Sequence, residues 1–215
     1  MSLRLYFHPL SSFCQKVLTA LYENGTPFEG KMVNFMEPKE DAEFRKLWPI
    51  RKFPILRDEA RDKLVPESTT IIEYLDRHFP GRTRLIPDDP EIAWETRFWD
   101  RFLDLYVHLP MQKIVTDRLR PAGSNDSFGV DQAKEQLATA YDLLDQHMAG
   151  DGDWVNGAGF SMADCAAAAP LRFADMLVPV GSRKNLAAYL ERLKARPSFA
   201  RVWSEAEPFL AMVPK

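Results

Sequence analysis

Lys52-Phe53-Pro54-Ile55-Leu56, a charged loop, Lys63-Leu64-Val65-Pro66, and then Glu67-Ser68-Thr69-Thr70-Ile71-Ile72-Glu73-Tyr74-Leu75: this stretch decides how the chain reads. Pro54 stands directly before the apolar pair Ile55 and Leu56. It has no N–H, so it can open a strand but not sit inside the ladder. A cis Phe53-Pro54 bond would turn the backbone and leave the N–H and C=O of Phe53 free; only about 5–6% of X-Pro bonds are cis, so the proline alone decides little. Ile71, Ile72 and Leu75 have helical spacing, which places Glu67 and Ser68 at a helix N-terminus. The unpaired N–H groups and the positive dipole end there favour a carboxylate. Glu67 offers a place for an ammonium beside it. One short segment thus presents a grip for a peptide backbone and a grip for an α-amino acid head group.

A proline-opened strand, a hairpin, and Glu-Ser at the start of a helix reading on to Glu73-Tyr74-Leu75 resemble the glutathione-binding half of soluble glutathione S-transferases. The resemblance implies that Phe53, before a cis Pro54, pairs its backbone with the cysteinyl part of glutathione. It implies that Glu67 and Ser68 hold the γ-glutamyl end. Valine is usual before that proline, and Phe53 departs from it while leaving the backbone role intact. Lys52 precedes Phe53 as a lysine does in theta-like members, and Lys39 lies near where other members bind the glycyl carboxylate. Both lysines equally suit a solvated surface. Trp48-Pro49 replaces the usual Asn-Pro.

The 215 residues suit one large domain or two small ones, and 46% hydrophobic residues are enough for a packed core. A net charge of −3 leaves no broad basic surface for nucleic acid. No apolar run approaches the roughly 18 residues of a membrane span. The N-terminus reads as a strand, Leu3 to Phe7, rather than a signal peptide, which fits a cytoplasmic location. Two cysteines, Cys14 and Cys165, make no disulfide framework, and the four histidines show no metal-ligand spacing. No metal, nucleic-acid or membrane role is expected.

Along the chain, periodicity predicts strands at Leu3 to Phe7 and Phe28 to Phe35, at Ile55 and after the Arg57 to Lys63 hairpin, with helices from Phe13 to Asn24, Pro38 to Leu47 and Ser68 to Phe79. This β-α-β-α-β-β-α order resembles the thioredoxin-like half of the family, with a mixed sheet. Residues 1–80 are therefore read as an α/β thioredoxin-like glutathione-binding domain, 81–90 as a linker and 91–215 as an all-α helical-bundle domain. In the second half a long helix runs from Glu91 to Leu119 with a kink at Pro110, and another from Gly129 to Ala149. A loop follows to Gly159, and two last helices are separated at Arg196-Pro197. Phe160-Ser161-Met162-Ala163-Asp164-Cys165 is a capping-box variant with Phe160 and Cys165 placed as a hydrophobic staple. It reads as a folding device, not a catalytic site.

Ser11-Ser12-Phe13-Cys14 sits between the first strand and the first helix, where the family keeps its reactive group. Ser11 matches the position of the catalytic serine in theta- and zeta-like members, where omega- and beta-like members carry cysteine. The implied role is a hydrogen bond to the sulfur of glutathione that favours thiolate, beside a helix N-terminus that does the same. Ser11 or Ser12 as a plain helix cap is the compatible alternative. Cys14 and Tyr6 are rivals: the first falls where thioredoxin-like proteins place a second, buried cysteine, the second where tyrosine-type classes place their phenol. An acceptor pocket is expected against the long helix, with Tyr106, His108 and Met111 as candidates or as packing residues. The resemblance implies a glutathione transferase that uses glutathione as co-substrate against a hydrophobic electrophile. A glutathione-dependent isomerase, a thiol–disulfide reductase and a non-enzymatic scaffold on the same fold stand as alternatives. It also implies a homodimer. The polar hairpin Arg57-Asp58-Glu59-Ala60-Arg61-Asp62-Lys63 predicts a hydrophilic, salt-sensitive contact.

Overall fold

The computed structural model describes residues 2–157 and 159–213; Met1, Ala158 of the expected 150–159 loop, Pro214 and Lys215 lie outside them. The first half is β1 (Leu3–Phe7), α1 (Ser12–Glu23), β2 (Glu29–Met32), α2 (Pro38–Leu47), β3 (Ile55–Asp58), β4 (Lys63–Pro66) and α3 (Ser68–His78). Its sheet runs in the order β2-β1-β3-β4, with β1 parallel to β2 and antiparallel to β3, and β3 antiparallel to β4. This is the thioredoxin-like mixed sheet. β2 is shorter than periodicity predicts. Beyond Met32 only the Val33 N–H bond to the Phe7 carbonyl, at 2.9 Å, continues the pairing, and Asn34 turns into the Glu40 side chain.

The second half is helical throughout: α4 (Pro90–Phe102), a π-helical turn (Leu103–His108), α5 (Leu109–Asp117), α6 (Ser127–His147), α7 (Met162–Leu177), α8 (Lys184–Ala195), α9 (Pro197–Ala206) and a closing 3-10 segment (Glu207–Met212). The expected kink at Pro110 takes the form of the π-helical turn. Pro110 has no N–H to offer the carbonyl four residues back. The chain widens just before it, and the Leu109 N–H bonds the Asp104 carbonyl, five residues back. The helix expected from Gly129 starts earlier, at Ser127, because Asp126 caps it through the Gly129 N–H at 2.8 Å.

The segment between the halves is packed rather than free. Asn24 bonds Thr83 twice, at 2.9 and 3.0 Å, and Leu85 is buried. At Gly81 an added Cβ would come within 2.3 Å of the Asn24 side chain, so only glycine lets the chain pass there. One apolar core then runs through both halves. Leu3, Leu5, Val17, Leu21, Ile71 and Ile72 belong to the same cluster as Leu103, Val107, Tyr141 and Tyr189. α1 packs on α3 and also on α7 and α9, so it is shared by both halves. α7 is apolar nearly all round, as a helix buried on every side must be.

The capping box forms as the sequence predicts. Asp164 accepts from the Ser161 N–H at 2.8 Å, and its other oxygen accepts from the Val155 N–H at 3.0 Å and the Tyr189 hydroxyl at 2.7 Å. Phe160 and Cys165 are both buried beside it. Replacing Ser161 by Ala removes the cap from the central helix. It is expected to lower the urea midpoint by an equivalent of about 0.5–2 kcal/mol with the slope unchanged; an unshifted midpoint would show that the box contributes nothing.

Candidate active site

Three starts of secondary structure converge on one cleft. Ser11 is the N-cap of α1, in extended conformation, and its Oγ accepts the Cys14 N–H at 3.3 Å. Its own N–H is tied to the His8 carbonyl at 3.0 Å, which fixes the backbone of the cap. The Phe53-Pro54 bond is cis, and Phe53 lies before the paired register of β3, which begins at Ile55. Glu67 is the N-cap of α3, held at φ +69°, a region that a residue with a Cβ rarely adopts. Its carboxylate makes no cap bond and stays exposed, while Ser68 behind it is buried. Such outliers cluster at ligand-binding positions.

The cleft, about 570 Å³, is lined by Ser11, Lys52, Phe53, Pro54, Glu67 and Ser68 together. The sequence-level candidates from the first half thus meet in one place, with a single exception: Lys39 is exposed on α2 and does not line it. The opposite wall is Arg101, Asp104, Leu105, Leu109 and Gln112. This corrects the expected acceptor wall. Tyr106 is turned outward, 53% exposed, into a separate groove with Phe102 and Leu143. His108 and Met111 are buried in the core. The cause is the π-helical turn, which shifts the face of the long helix at that height. Nothing in the apolar periodicity announces such a turn except Pro110 itself.

Both rivals to Ser11 are placed elsewhere. Tyr6 does not line the cleft; its ring meets Phe44 of α2 and lines a different pocket. Cys14 is fully buried, and burial pushes its thiol up to about 12, so it is not a nucleophile at neutral pH. Among the described residues no group of His, Cys, Asp and Glu is placed to hold a metal ion. No helix among them is long and apolar enough to cross a membrane.

Directly behind the cleft lies a charged cluster that sequence reasoning missed. Lys16 of α1, 1% exposed, pairs with Asp100 of α4 at 2.6 Å and with Asp104 at 2.9 Å. Its ammonium also donates to Thr69 Oγ1 at 3.0 Å, and that hydroxyl donates to Asp100 at 2.7 Å. Burial is the main force raising the Asp104 carboxyl above its ordinary value, with Asp100 adding to it and Lys16 opposing it. The only sequence trace was Lys16 itself, one residue before Val17 on the apolar face of α1.

Comparison with known proteins gives the family. Residues 5–83 match the model of the glutathione S-transferase N-terminal domain and residues 127–192 that of the C-terminal domain. The glutathione S-transferase-like protein LUC7 of a Fusarium species is 30% identical over 183 residues, which cover 85% of this chain and 82% of that protein. The chain belongs to the glutathione S-transferase family. Glutathione S-transferase GstB of Escherichia coli K12 is 28% identical over 198 residues, 89% of this chain and 93% of its own. The crystal structure of a Methylobacillus flagellatus glutathione S-transferase with glutathione bound superposes with a TM-score of 0.83 at 24% identity, covering 94% of this chain and 98% of that one. The transferase fold therefore extends over nearly the whole chain, including the helical half that supplies the second cleft wall.

Within this transferase fold the Lys16 cluster ties α1, α3 and α4 together. Lys16→Met would leave two buried carboxylates without their cation, a loss of about 3–5 kcal/mol. Folding then buries carboxylates that have no cation and must take up protons, so the loss is expected to grow between about pH 5 and pH 8, as that proton uptake becomes costly. Urea unfolding at the two pH values tests this, and a loss equal at both would contradict the arrangement.

Proposed function

We propose that the protein is a glutathione transferase in which Ser11 stabilises the glutathione thiolate for attack on a hydrophobic electrophile. The observation that carries this is the meeting of Ser11, Phe53-Pro54, Glu67 and Ser68 in one cleft. Glutathione as co-substrate fits each part. The unpaired edge at Phe53 suits the cysteinyl backbone. The first turn of α3, which has no side-chain cap, suits the γ-glutamyl carboxylate, and the exposed Glu67 carboxylate suits its ammonium. Lys52 at the cleft wall is available for the glycyl end. The hydroxyl of Ser11, at a helix N-terminus, then faces the sulfur. Leu105 and Leu109 offer exposed apolar surface on the far wall for the acceptor. A thiol–disulfide reductase that works through a thiol of its own would need it exposed here, and the buried Cys14 does not supply it.

We further propose a homodimer. The expected contact was hydrophilic, and the hairpin is indeed charged, with Arg61 on Asp58 at 2.9 Å and Arg4 on Glu59 at 3.3 Å. A second surface changes that expectation. Trp94, Phe98 and Tyr106 form an exposed aromatic ladder along α4 and the π-helical turn, joined by Leu143 of α6. Exposed apolar area of this kind favours a partner, and a second copy of this chain is the one the family resemblance implies. Such a contact has an apolar centre and a charged rim, so salt alone should not dissolve it.

Three experiments test these readings. In Glu67→Ala, loss of a charged hydrogen-bond partner, about 1.5–3 kcal/mol, is expected to weaken glutathione at least tenfold by calorimetry. In Ser11→Ala, binding should persist while turnover falls by about ten- to a thousandfold; unchanged affinity in the first with full turnover in the second would refute the assignment. Light scattering at micromolar concentration should find a dimer at low and high salt and a monomer for the Trp94→Glu, Phe98→Glu double variant. A wild type that is monomeric at both salts would sink the dimer.

A further inference from the structure

One short segment reaches α1 at two points. Asp104 and His108 lie four apart on the π-helical turn, and they meet Lys16 and Ser12, four apart on α1. The first contact is the ion pair already described. The second is a hydrogen bond of 2.9 Å between His108 Nε2 and Ser12 Oγ, with both residues buried. The His108 ring also stacks on Phe13, with centroids 3.7 Å apart and planes 20° from parallel. Phe13 and Ser11 line the cleft; Ser12, between them, faces inward to His108.

The protonation of His108 follows from its surroundings. Burial, with Lys16 nearby, lowers its pKa to about 3, so the ring is neutral at working pH. A neutral imidazole carries one N–H. Nδ1 is buried and has no hydrogen-bond partner among the described residues. A buried N–H without an acceptor is rarer than an unpaired acceptor, so the proton belongs on Nε2. His108 therefore donates to Ser12 Oγ, from the helical half into the first turn of α1.

We infer that His108 is a positioning residue for sulfur activation: through Ser12 it fixes the first turn of α1, and with it Ser11 Oγ and Phe13, against the helical wall of the cleft. The inference rests on the reading of Ser11 as donor to the sulfur. Its physical basis is that the helix start follows a turn at His8 to Leu10, not a strand, so the sheet does not hold it. A donor misplaced by about 1 Å loses much of its effect on a reacting atom. Within the first half the turn is tied to α1 by the Ser11 N–H on the His8 carbonyl and by Gln15 Nε2 on the Pro9 carbonyl at 2.8 Å; the His108–Ser12 bond and the Phe13 stack add the restraint that sets it against the helical half.

The test compares His108→Phe, His108→Gln and Ser12→Ala with the wild type and with Ser11→Ala. Phenylalanine keeps a ring against Phe13 and removes the donor; glutamine places an amide N–H near the position of Nε2. In His108→Phe, the thiolate absorbance of bound glutathione at neutral pH should fall and kcat should drop about ten- to a hundredfold, with glutathione affinity within about twofold. Glutamine should restore most of both. Ser12→Ala should reproduce the loss, and the double variant should be no worse than either single one. If His108→Phe does not fold, Ser12→Ala and the glutamine variant decide the matter. Full thiolate signal and full kcat per folded protein in Ser12→Ala and His108→Phe would overturn the inference and leave His108 as core packing, while Ser11→Ala could still show its loss. A wild type that gives no thiolate signal with glutathione would instead overturn the Ser11 reading, and this inference with it.

Discussion

One buried ammonium holds the two halves of this protein in register. Lys16 is almost wholly removed from water and faces two carboxylates from the helical half. Taking three charges out of water is costly, and apolar side chains of similar size would often be as stable or more so. The cluster is therefore better understood through geometry than through net stability. Its hydrogen bonds are directional, whereas the apolar core around it tolerates small slides. Thr69, in the first turn of α3, is part of the same cluster, so the start of α3 is fixed by it as well. Glu67 and Ser68, proposed here to hold a γ-glutamyl group, stand directly before Thr69.

The same logic extends along α1. This helix packs on α3 and on α7 and α9 at once, so its N-terminus sits where the halves meet. A helix start supplies unpaired N–H groups and a positive dipole end, both favourable to a sulfur anion. The fold thus brings the start of α1, the segment before β3 at Phe53 and a second helix start at Glu67 to one cleft. The far wall is built from a different domain type, so on the proposed function the acceptor surface can change without disturbing the grip on the tripeptide. Here that wall offers Leu105 and Leu109 as its apolar surface.

The π-helical turn is the least regular element and has the largest local consequences. It turns Asp104 to Lys16, His108 to Ser12 and Leu105 to the cleft, while Tyr106 goes outward. Turns of this kind are rare and concentrate at functional sites. In this chain its cause is plain: Pro110 cannot close the ordinary helical bond, and the widened turn accommodates the gap.

Much of the first half was legible in the sequence, because its signals are local. Pro54 before an apolar pair, Glu67-Ser68 before a helical run and the box at Ser161 each depend on residues within one or two turns, and each forms as read. The thioredoxin-like order, the helical second half and the meeting of Ser11 with Phe53 and Glu67 follow from such signals joined by the family resemblance. What the sequence did not decide is every relation that spans the halves. Periodicity names an apolar face but not what lies against it, so Tyr106, His108 and Met111 could be read as cleft or as packing residues; none lines the cleft, and His108 and Met111 pack in the core. The partners of Lys16 lie 84 and 88 positions away, with no local pattern to mark them. Pro110 announced a disturbance but not its direction, because the direction is set by α6 and α7 packed against it. Side-chain chemistry was written in the chain; which side chains share a cleft was settled only by the tertiary packing that turns each helix face toward its neighbour.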